Sequence, residues 1–199
     1  MAGRPRGFDL DDAIDRALTL FWEQGYAGTS LAQLRSTLGI SSASFYAAFG
    51  SKESLFEMVL ARYIRGPGSV TDVVGDPDLT GREAVSRLLH GSIAMQTDPA
   101  HPRGCLVALS ATVGGDDVPA AVRGLVADRR AADRKRIRDC VERSVARGEL
   151  DPTTDASALA ATLHGFLLGI STQARDGVPA SDLNRAADSL LTTWDAAAV

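Results

Sequence analysis

The chain has few of the features that mark secreted proteins or membrane proteins. Only two of its 199 residues are cysteines, too few and too far apart for a disulfide framework or a zinc site. No run of about 18 apolar residues occurs, and the N-terminus lacks the apolar core of a signal peptide. We therefore expect a cytoplasmic protein whose 45% hydrophobic residues bury a core without disulfides.

Catalytic and metal-binding signatures are also missing from the sequence. It contains no Gly-x-Ser-x-Gly elbow, phosphate loop, dinucleotide fingerprint or paired carboxylates. His90, His101 and His164 are far apart and form no metal-ligand spacing with the cysteines. The sequence argues against an enzyme and predicts no catalytic residue, no metal and no cofactor.

The sequence is rich in helical periodicity. Apolar residues recur at helical spacing between Gly, Pro and Asp breakers, and no alternating β pattern is present. Beyond the N-terminal quarter, helices are expected at about 80–97, 104–113, 118–147, 155–176 and 180–196. We predict an all-α chain of about nine helices. An N-terminal three-helix domain with a linking fourth helix would occupy residues 1–65, and a helical bundle would occupy residues 66–199, reached through a polar loop.

Within the N-terminal part, the first helix should run from Asp9 as N-cap to a stop at Gly25. Two short helices then follow, the first capped by Thr29 and ended by Gly39, the second capped by Ser41. The residues that open the second short helix are small enough to approach base edges closely. They are Ser42, Ala43 and Ser44. Two short helices joined by a glycine turn are the outline of a helix-turn-helix DNA reader.

The motifs in residues 8–63 occur in a specific combination. Tyr26-Ala27-Gly28 is followed by LxxLxxxLGIS and then by SFYxxFxSKxxL. In these motifs the chain resembles the N-terminal domain of the TetR family of bacterial transcriptional regulators. The resemblance implies a homodimeric repressor that binds a palindromic double-stranded DNA operator. It also implies a C-terminal bundle that forms the dimer and binds a small-molecule effector, which releases the operator.

The candidate DNA contacts follow from the chemistry of the side chains. Tyr46, on the exposed side of the second short helix, and Lys52, in the first turn of the next helix, are placed to hold phosphate oxygens. Gln33 can make a bidentate amide contact to adenine. Arg4 and Arg6 are either a plain terminus or an arm that enters the minor groove. The predicted set is Arg4, Arg6, Thr29, Gln33, Ser41, Ser42, Ala43, Ser44, Tyr46 and Lys52.

The net charge of −4 is unusual for a DNA-binding protein, so its distribution matters. Residues 1–65 hold seven basic and seven acidic side chains, and the remainder carries the whole negative excess. A basic face on the N-terminal domain is therefore permitted but not proved. The arginine-rich run 129–138 is interleaved with aspartates at i,i+4 spacing, which indicates a solvated helix face rather than a second nucleic-acid patch.

The C-terminal helices carry the dimer and effector predictions. Residues 159–170, LAATLHGFLLGI, combine apolar residues with small ones, as a close helix crossing requires. The predicted dimer set is Leu159, Leu163, Phe166, Gly169, Leu190 and Trp194. The effector-pocket candidates are equally explicable as core. They are Met58, Arg62, Tyr63, Leu88, Ser92, Met95, Leu106 and Leu109.

Two alternatives come from other classes of protein. Cys105 stands at the start of a predicted helix near Arg103, where a helix dipole and a cation would favour the thiolate, so a redox- or electrophile-sensing repressor is possible. The alternative interpretation is that Cys105 is an ordinary small hydrophobic residue of the core. The chain could also be an enzyme or interaction protein that keeps the helix-turn-helix as a scaffold. Such a protein would show no salt-dependent operator binding.

Overall fold

The computed structural model describes residues 9–110 and 117–199, and in these ranges it contains nine α-helices and one 3-10 helix. The α-helices are α1 (Leu10–Gly28), α2 (Leu31–Leu38), α3 (Ser42–Phe49), α4 (Lys52–Arg65), α5 (Gly81–Thr97), α6 (Leu106–Leu109), α7 (Ala120–Ala146), α8 (Ala156–Arg175) and α9 (Ala180–Asp195). The 3-10 helix is Pro67–Gly75. The prediction of an all-α fold is confirmed. No helix in the described ranges is long and apolar enough to cross a membrane.

Side-chain caps set most helix starts in the N-terminal part. Asp9, Ser41 and Ser51 each accept a hydrogen bond from backbone N–H groups of the helix that follows, as predicted for N-caps. The N-cap prediction for Thr29 is wrong, because Ser30 caps α2. The Ser30 hydroxyl accepts from the Gln33 N–H while the Gln33 carboxamide accepts from the Ser30 N–H, which makes a capping box.

Helix α1 bends sharply at Gly25, where the sequence predicts its end. Gly25 has a φ of +71°, a conformation that favours glycine, and the helical turn continues beyond it to Gly28. The bend leaves carbonyls of the preceding turn open to other donors. Arg175 of α8 donates to the Trp22 carbonyl at 2.8 Å and to the Glu23 carbonyl at 2.9 Å. A guanidinium from the far end of the chain therefore caps the straight part of α1.

Two connecting segments differ from the sequence predictions. The polar loop expected after residue 66 is instead the 3-10 helix Pro67–Gly75, which Arg136 holds through an ion pair to Asp72 at 2.6 Å. The helix predicted at 104–113 is reduced to the single turn Leu106–Leu109, because Gly104 has a φ of +82° and cannot be helical. Residues 111–113 of that prediction lie outside the described residues.

The apolar core consists of two clusters. The first contains residues of the four helices α1, α2, α3 and α4, together with residues at the start of the C-terminal part that include Leu106, Val122 and Val126. The second joins α5, α7, α8 and α9 and centres on residues such as Ile93 and Trp194. Helix α7 contributes to both clusters and so ties the N-terminal helices to the bundle.

We expect Arg175→Met to lower the free energy of unfolding by about 1–2 kcal/mol, because it removes charge-assisted hydrogen bonds to carbonyls at the bend of α1. The control is Arg185→Met, which loses only an exposed pair with Asp182 and should change stability by less than about 0.5 kcal/mol. Urea denaturation followed by circular dichroism measures both. Equal effects would show that Arg175 does not stabilise the bend.

Candidate DNA-binding surface and internal cavity

Helix α3 presents an open surface built from small side chains. Phe45 and Phe49 are buried and anchor the helix, while the N-terminal turn is exposed. Its exposed residues are Ser41, Ser42, Ala43 and Ser44. Tyr46 is 51% exposed on the same helix. The three-residue link 39–41, in which Gly39 has a left-handed φ of +67°, connects α2 to α3. This is the helix-turn-helix geometry that the sequence predicts.

Lys52 is held by an aromatic ring rather than left free in solvent. Its Nζ lies 4.0 Å from the centre of the Tyr26 ring, a cation–π contact. The Tyr26 hydroxyl donates to Glu53 Oε1 at 3.0 Å, which fixes the ring. Partial burial lowers the pKa of Lys52, and the neighbouring Glu53 carboxylate opposes that shift. The side chain therefore sits at the start of α4 in a defined position.

Other predicted DNA contacts are engaged elsewhere or lie outside the described residues. Thr29 is fully buried, and its hydroxyl donates to the Gly25 carbonyl at 2.7 Å. The Gln33 amide is exposed but donates to Gln24 Oε1 at 3.0 Å in addition to its role in the capping box. Arg4 and Arg6 fall outside the described residues.

An internal cavity of about 50 Å³ lies among α4, the 3-10 helix, α5, the α6 segment, α7 and α8. Of the predicted pocket residues, Tyr63, Ser92 and Met95 line it. The others do not. Met58 is exposed, Arg62 is on the surface in ion pairs with Asp11 and Asp15, and Leu88, Leu106 and Leu109 pack outside the cavity lining. Those five side chains belong to the core or the surface. The sequence did not separate them from cavity residues, because helical spacing alone does not show which face of a helix meets the cavity.

Cys105 also lines the cavity, where its Sγ accepts a hydrogen bond from the Tyr63 hydroxyl at 3.1 Å. The predicted activation of its thiolate is not present. Burial raises the pKa of the Cys105 thiol, although the Tyr63 hydroxyl opposes the shift. Helix α6 is a single turn with little dipole, and the Arg103 side chain is exposed on the surface. Cys140 is buried in the second core cluster, and burial raises its pKa as well.

The predicted dimer residues divide between core and surface. Leu159, Leu163 and Trp194 are buried within the chain, and Phe166 and Leu190 are partly buried. Gly169 is exposed, and so are Ala161 and Gly165 on the same side of α8. A Cβ built at Gly165 or Gly169 meets no other atom within 4 Å. The outer face of α8 is therefore a flat strip of small residues.

Three functional residues were missed at the sequence level. Ser30 and Gln33 form the pattern S-x-x-Q, and this capping-box signature could have identified the true cap of α2. Tyr26 was read only as part of a motif, and no local pattern indicates that its ring lies beneath Lys52. The same is true of Arg175, which is 152 and 153 residues from the two carbonyls it caps.

Comparisons with known proteins agree with this geometry. The model of bacterial regulatory proteins of the tetR family matches residues 13–59, and that of the tetracyclin repressor-like C-terminal domain matches residues 81–191. The HTH-type transcriptional repressor ComR of Escherichia coli (strain K12) is 31% identical over 193 residues, covering 96% of this chain and 91% of ComR.

Solved structures are similar over nearly the whole chain. A cysteine variant of the TetR family transcriptional regulator CifR, complexed with 26 bp double-strand operator DNA, is 40% identical with a TM-score of 0.89, covering 96% of this chain and 100% of that chain. A TetR transcriptional regulator from Chloroflexus aurantiacus J-10-FL is 25% identical with a TM-score of 0.79, covering 92% and 91%. With a helix-turn-helix head and a matching helical C-terminal domain, the chain belongs to the TetR family of bacterial transcriptional regulators.

Proposed function

We propose that this protein is a transcriptional repressor that binds a palindromic DNA operator as a homodimer and is released by a small-molecule effector. The observation that carries the proposal is the exposed N-terminal turn of α3, followed by Tyr46 and the positioned Lys52. The likeness to CifR in its complex with operator DNA supports it. The first turn of α3 would meet base edges, while Tyr46 and Lys52 would hold phosphates.

The proposal of a dimer is based on the spacing of the two half-sites in a palindromic operator. A single head contacts one half-site, and two recognition helices must lie about 34–36 Å apart to enter successive major grooves. The strip of small residues on α8 allows the same helix of a second copy to approach closely, with Phe166 and Leu190 at its edge. We propose this strip as the centre of an isologous interface.

The effector would act where the cavity touches the connection to the head. Tyr63 of α4 lines the cavity, and Lys52 lies about 16 Å away along the same helix, at 1.5 Å rise per residue. Next to Cys105, the Gly104 carbonyl accepts from Trp22 Nε1 of α1 at 2.9 Å. A ligand that shifts α4 or this segment would move both α1 and α4, and so change the spacing of the two heads.

The second candidate function is a thiol-based sensor, favoured by the position of Cys105 in the cavity wall. Its effector would modify Sγ and break the hydrogen bond from the Tyr63 hydroxyl. The two candidates differ in the response of Cys105→Ser. A non-covalent effector still releases the operator from this variant, whereas a thiol-modifying effector does not.

We expect Lys52→Ala to weaken binding to operator and to unrelated DNA alike, and to reduce the salt slope by about one unit per subunit, because one phosphate contact is lost. Tyr46→Phe should weaken binding in the same sequence-independent way, whereas Ser42→Ala should alter preference at particular base pairs. Fluorescence anisotropy at several salt concentrations, with an operator obtained by in vitro selection, measures these effects.

The matched control for Lys52 is Lys135→Ala, which removes a surface lysine that pairs with Asp139 on α7. It should leave affinity and slope unchanged. If Lys52→Ala behaves as this control does, Lys52 makes no phosphate contact. If the parent shows no salt-dependent binding to any selected sequence, the proposed repressor function is wrong.

Gly169→Leu should convert the dimer to monomer and abolish operator binding, because a bulky side chain at a close helix crossing costs about 1–3 kcal/mol and an isologous interface contains it twice. Gly124→Leu on α7 is the control, since a Cβ there also meets nothing within 4 Å in the chain. Sedimentation velocity should show monomer for the first variant and dimer for the second. If the Gly169→Leu protein remains dimeric, the face of α8 at Gly169 is not part of the dimer interface.

Cys105 should react with iodoacetamide faster than Cys140, because Cys105 faces the cavity while Cys140 is packed in the core. Both should react more slowly than a free thiol at neutral pH, since burial raises both pKa values. Timed labelling followed by peptide mass spectrometry gives the rates. Equal rates, or an oxidant response that persists in Cys105→Ser, would exclude the thiol-sensor function.

A further inference from the structure

The cavity wall contains one buried side-chain oxygen that has no hydrogen-bond partner. Gln96 is only 3% exposed, and its Oε1 has no hydrogen-bond partner. His164, which is only 7% exposed, lines the same cavity. Buried polar groups in folded proteins are nearly always paired. The unpaired Gln96 Oε1 on the cavity wall therefore indicates a group that a ligand can use.

The charges on the wall do not cancel. Arg129 and Asp133 form an ion pair at 3.0 Å, to which the Thr71 hydroxyl is also hydrogen-bonded. Arg130 donates one hydrogen bond to the Val107 carbonyl at 3.1 Å and forms no ion pair with the described residues. Burial lowers the pKa of His164, which keeps its ring neutral at neutral pH. Among the described residues, Arg130 thus brings a positive charge to the cavity wall with which no carboxylate forms an ion pair.

The size of the cavity limits the ligand. A volume of about 50 Å³ holds roughly four water molecules, and so a molecule of about four to six non-hydrogen atoms. Much of the remaining wall is apolar, including Ile64, Val70 and Leu167. A suitable ligand has one anionic group, a short apolar part and a hydrogen-bond donor for Gln96.

We propose that the cavity binds a short-chain organic monocarboxylate, with 2-hydroxy acids of about six non-hydrogen atoms preferred. Its carboxylate pairs with Arg130 and accepts from His164, and its hydroxyl donates to Gln96 Oε1. The inference rests on the proposed function in one respect, since it assigns a chemical class to the effector of the same cavity. Binding itself needs neither the operator nor the dimer.

The test is isothermal titration calorimetry of the full chain without DNA, at pH 7.5 and fixed ionic strength. 2-Hydroxypropionate should bind with a dissociation constant below about 1 mM. 2-Hydroxypropionamide has nearly the same shape but no charge, and it should bind at least tenfold more weakly. Propionate lacks the hydroxyl and should bind between these two. Octanoate, with about ten non-hydrogen atoms, should not compete.

Variants assign the contacts. Arg130→Gln should lose at least tenfold in affinity for 2-hydroxypropionate, while Arg134→Gln, an exposed arginine of the same helix outside the cavity wall, should bind like the parent. Gln96→Leu should bind propionate and 2-hydroxypropionate equally. A thermal melt of each variant establishes that it is folded. If Arg130→Gln does not fold, the comparison of acid with amide on the parent chain decides.

The proposal is overturned if the amide binds as tightly as the acid, if no monocarboxylate of the series binds below about 1 mM, or if Arg134→Gln loses as much affinity as Arg130→Gln. Failure of the repressor function gives a different result, namely ligand binding with no salt-dependent DNA binding. Failure of this proposal alone leaves DNA binding intact and unaffected by the acids.

Discussion

The bend of α1 at Gly25 sets the connection between the two halves of the molecule. It frees carbonyls of the preceding turn, and main-chain carbonyls without helical partners need donors. Arg175 supplies them from α8, and the Trp22 indole of the same turn donates to the Gly104 carbonyl. The Gly104 N–H in turn donates to the Gln96 carbonyl at the end of α5. Helices α1, α5 and α8 therefore meet at one small polar junction.

The junction adjoins the cavity, and this proximity gives the proposed regulation a physical basis. Cys105 follows Gly104 directly and lines the cavity, as does the Gln96 side chain. An unpaired buried polar group, here Gln96 Oε1, and a cavity both reduce stability, so the fold gives up packing at a place where a ligand would restore it. The free energy gained on ligand binding would therefore stabilise one position of α4 and of the Gly104–Cys105 segment that contacts α1.

The proposed DNA-contacting surface depends on a different interaction. The exposed turn of α3 is made of small residues that would add little binding energy of their own, so the side chains proposed to hold phosphates would have to be well placed. Tyr26 orients Lys52 through its ring and is itself anchored by Glu53. A side chain already held in place loses less conformational freedom on contact than a free lysine does. Under the proposed function, affinity for the DNA backbone would thus rely on packing inside the N-terminal domain.

The sequence by itself determined the all-α class, the helix-turn-helix and most helix boundaries, because these depend on local features: apolar periodicity, hydroxyl and carboxylate caps, and glycines at positive φ. It determined the caps Asp9, Ser41 and Ser51 for the same reason, and it predicted a helix stop at Gly25, where the structure has a bend. Thr29 and Ser30 are both residue types that can cap a helix, and the sequence pattern alone did not decide which of them caps α2.

Only the tertiary structure decided which faces of the C-terminal helices meet the cavity, the core or solvent. Periodicity identifies an apolar stripe but not its neighbour, so Leu88 and Tyr63 look alike in sequence although one is core and the other lines the cavity. The contacts of Arg175 with α1, of Lys52 with Tyr26 and of Cys105 with Tyr63 join residues far apart in the chain. Such contacts, and the pKa shifts they cause, arise only when helices pack, since they depend on distances in space rather than on spacing along the chain.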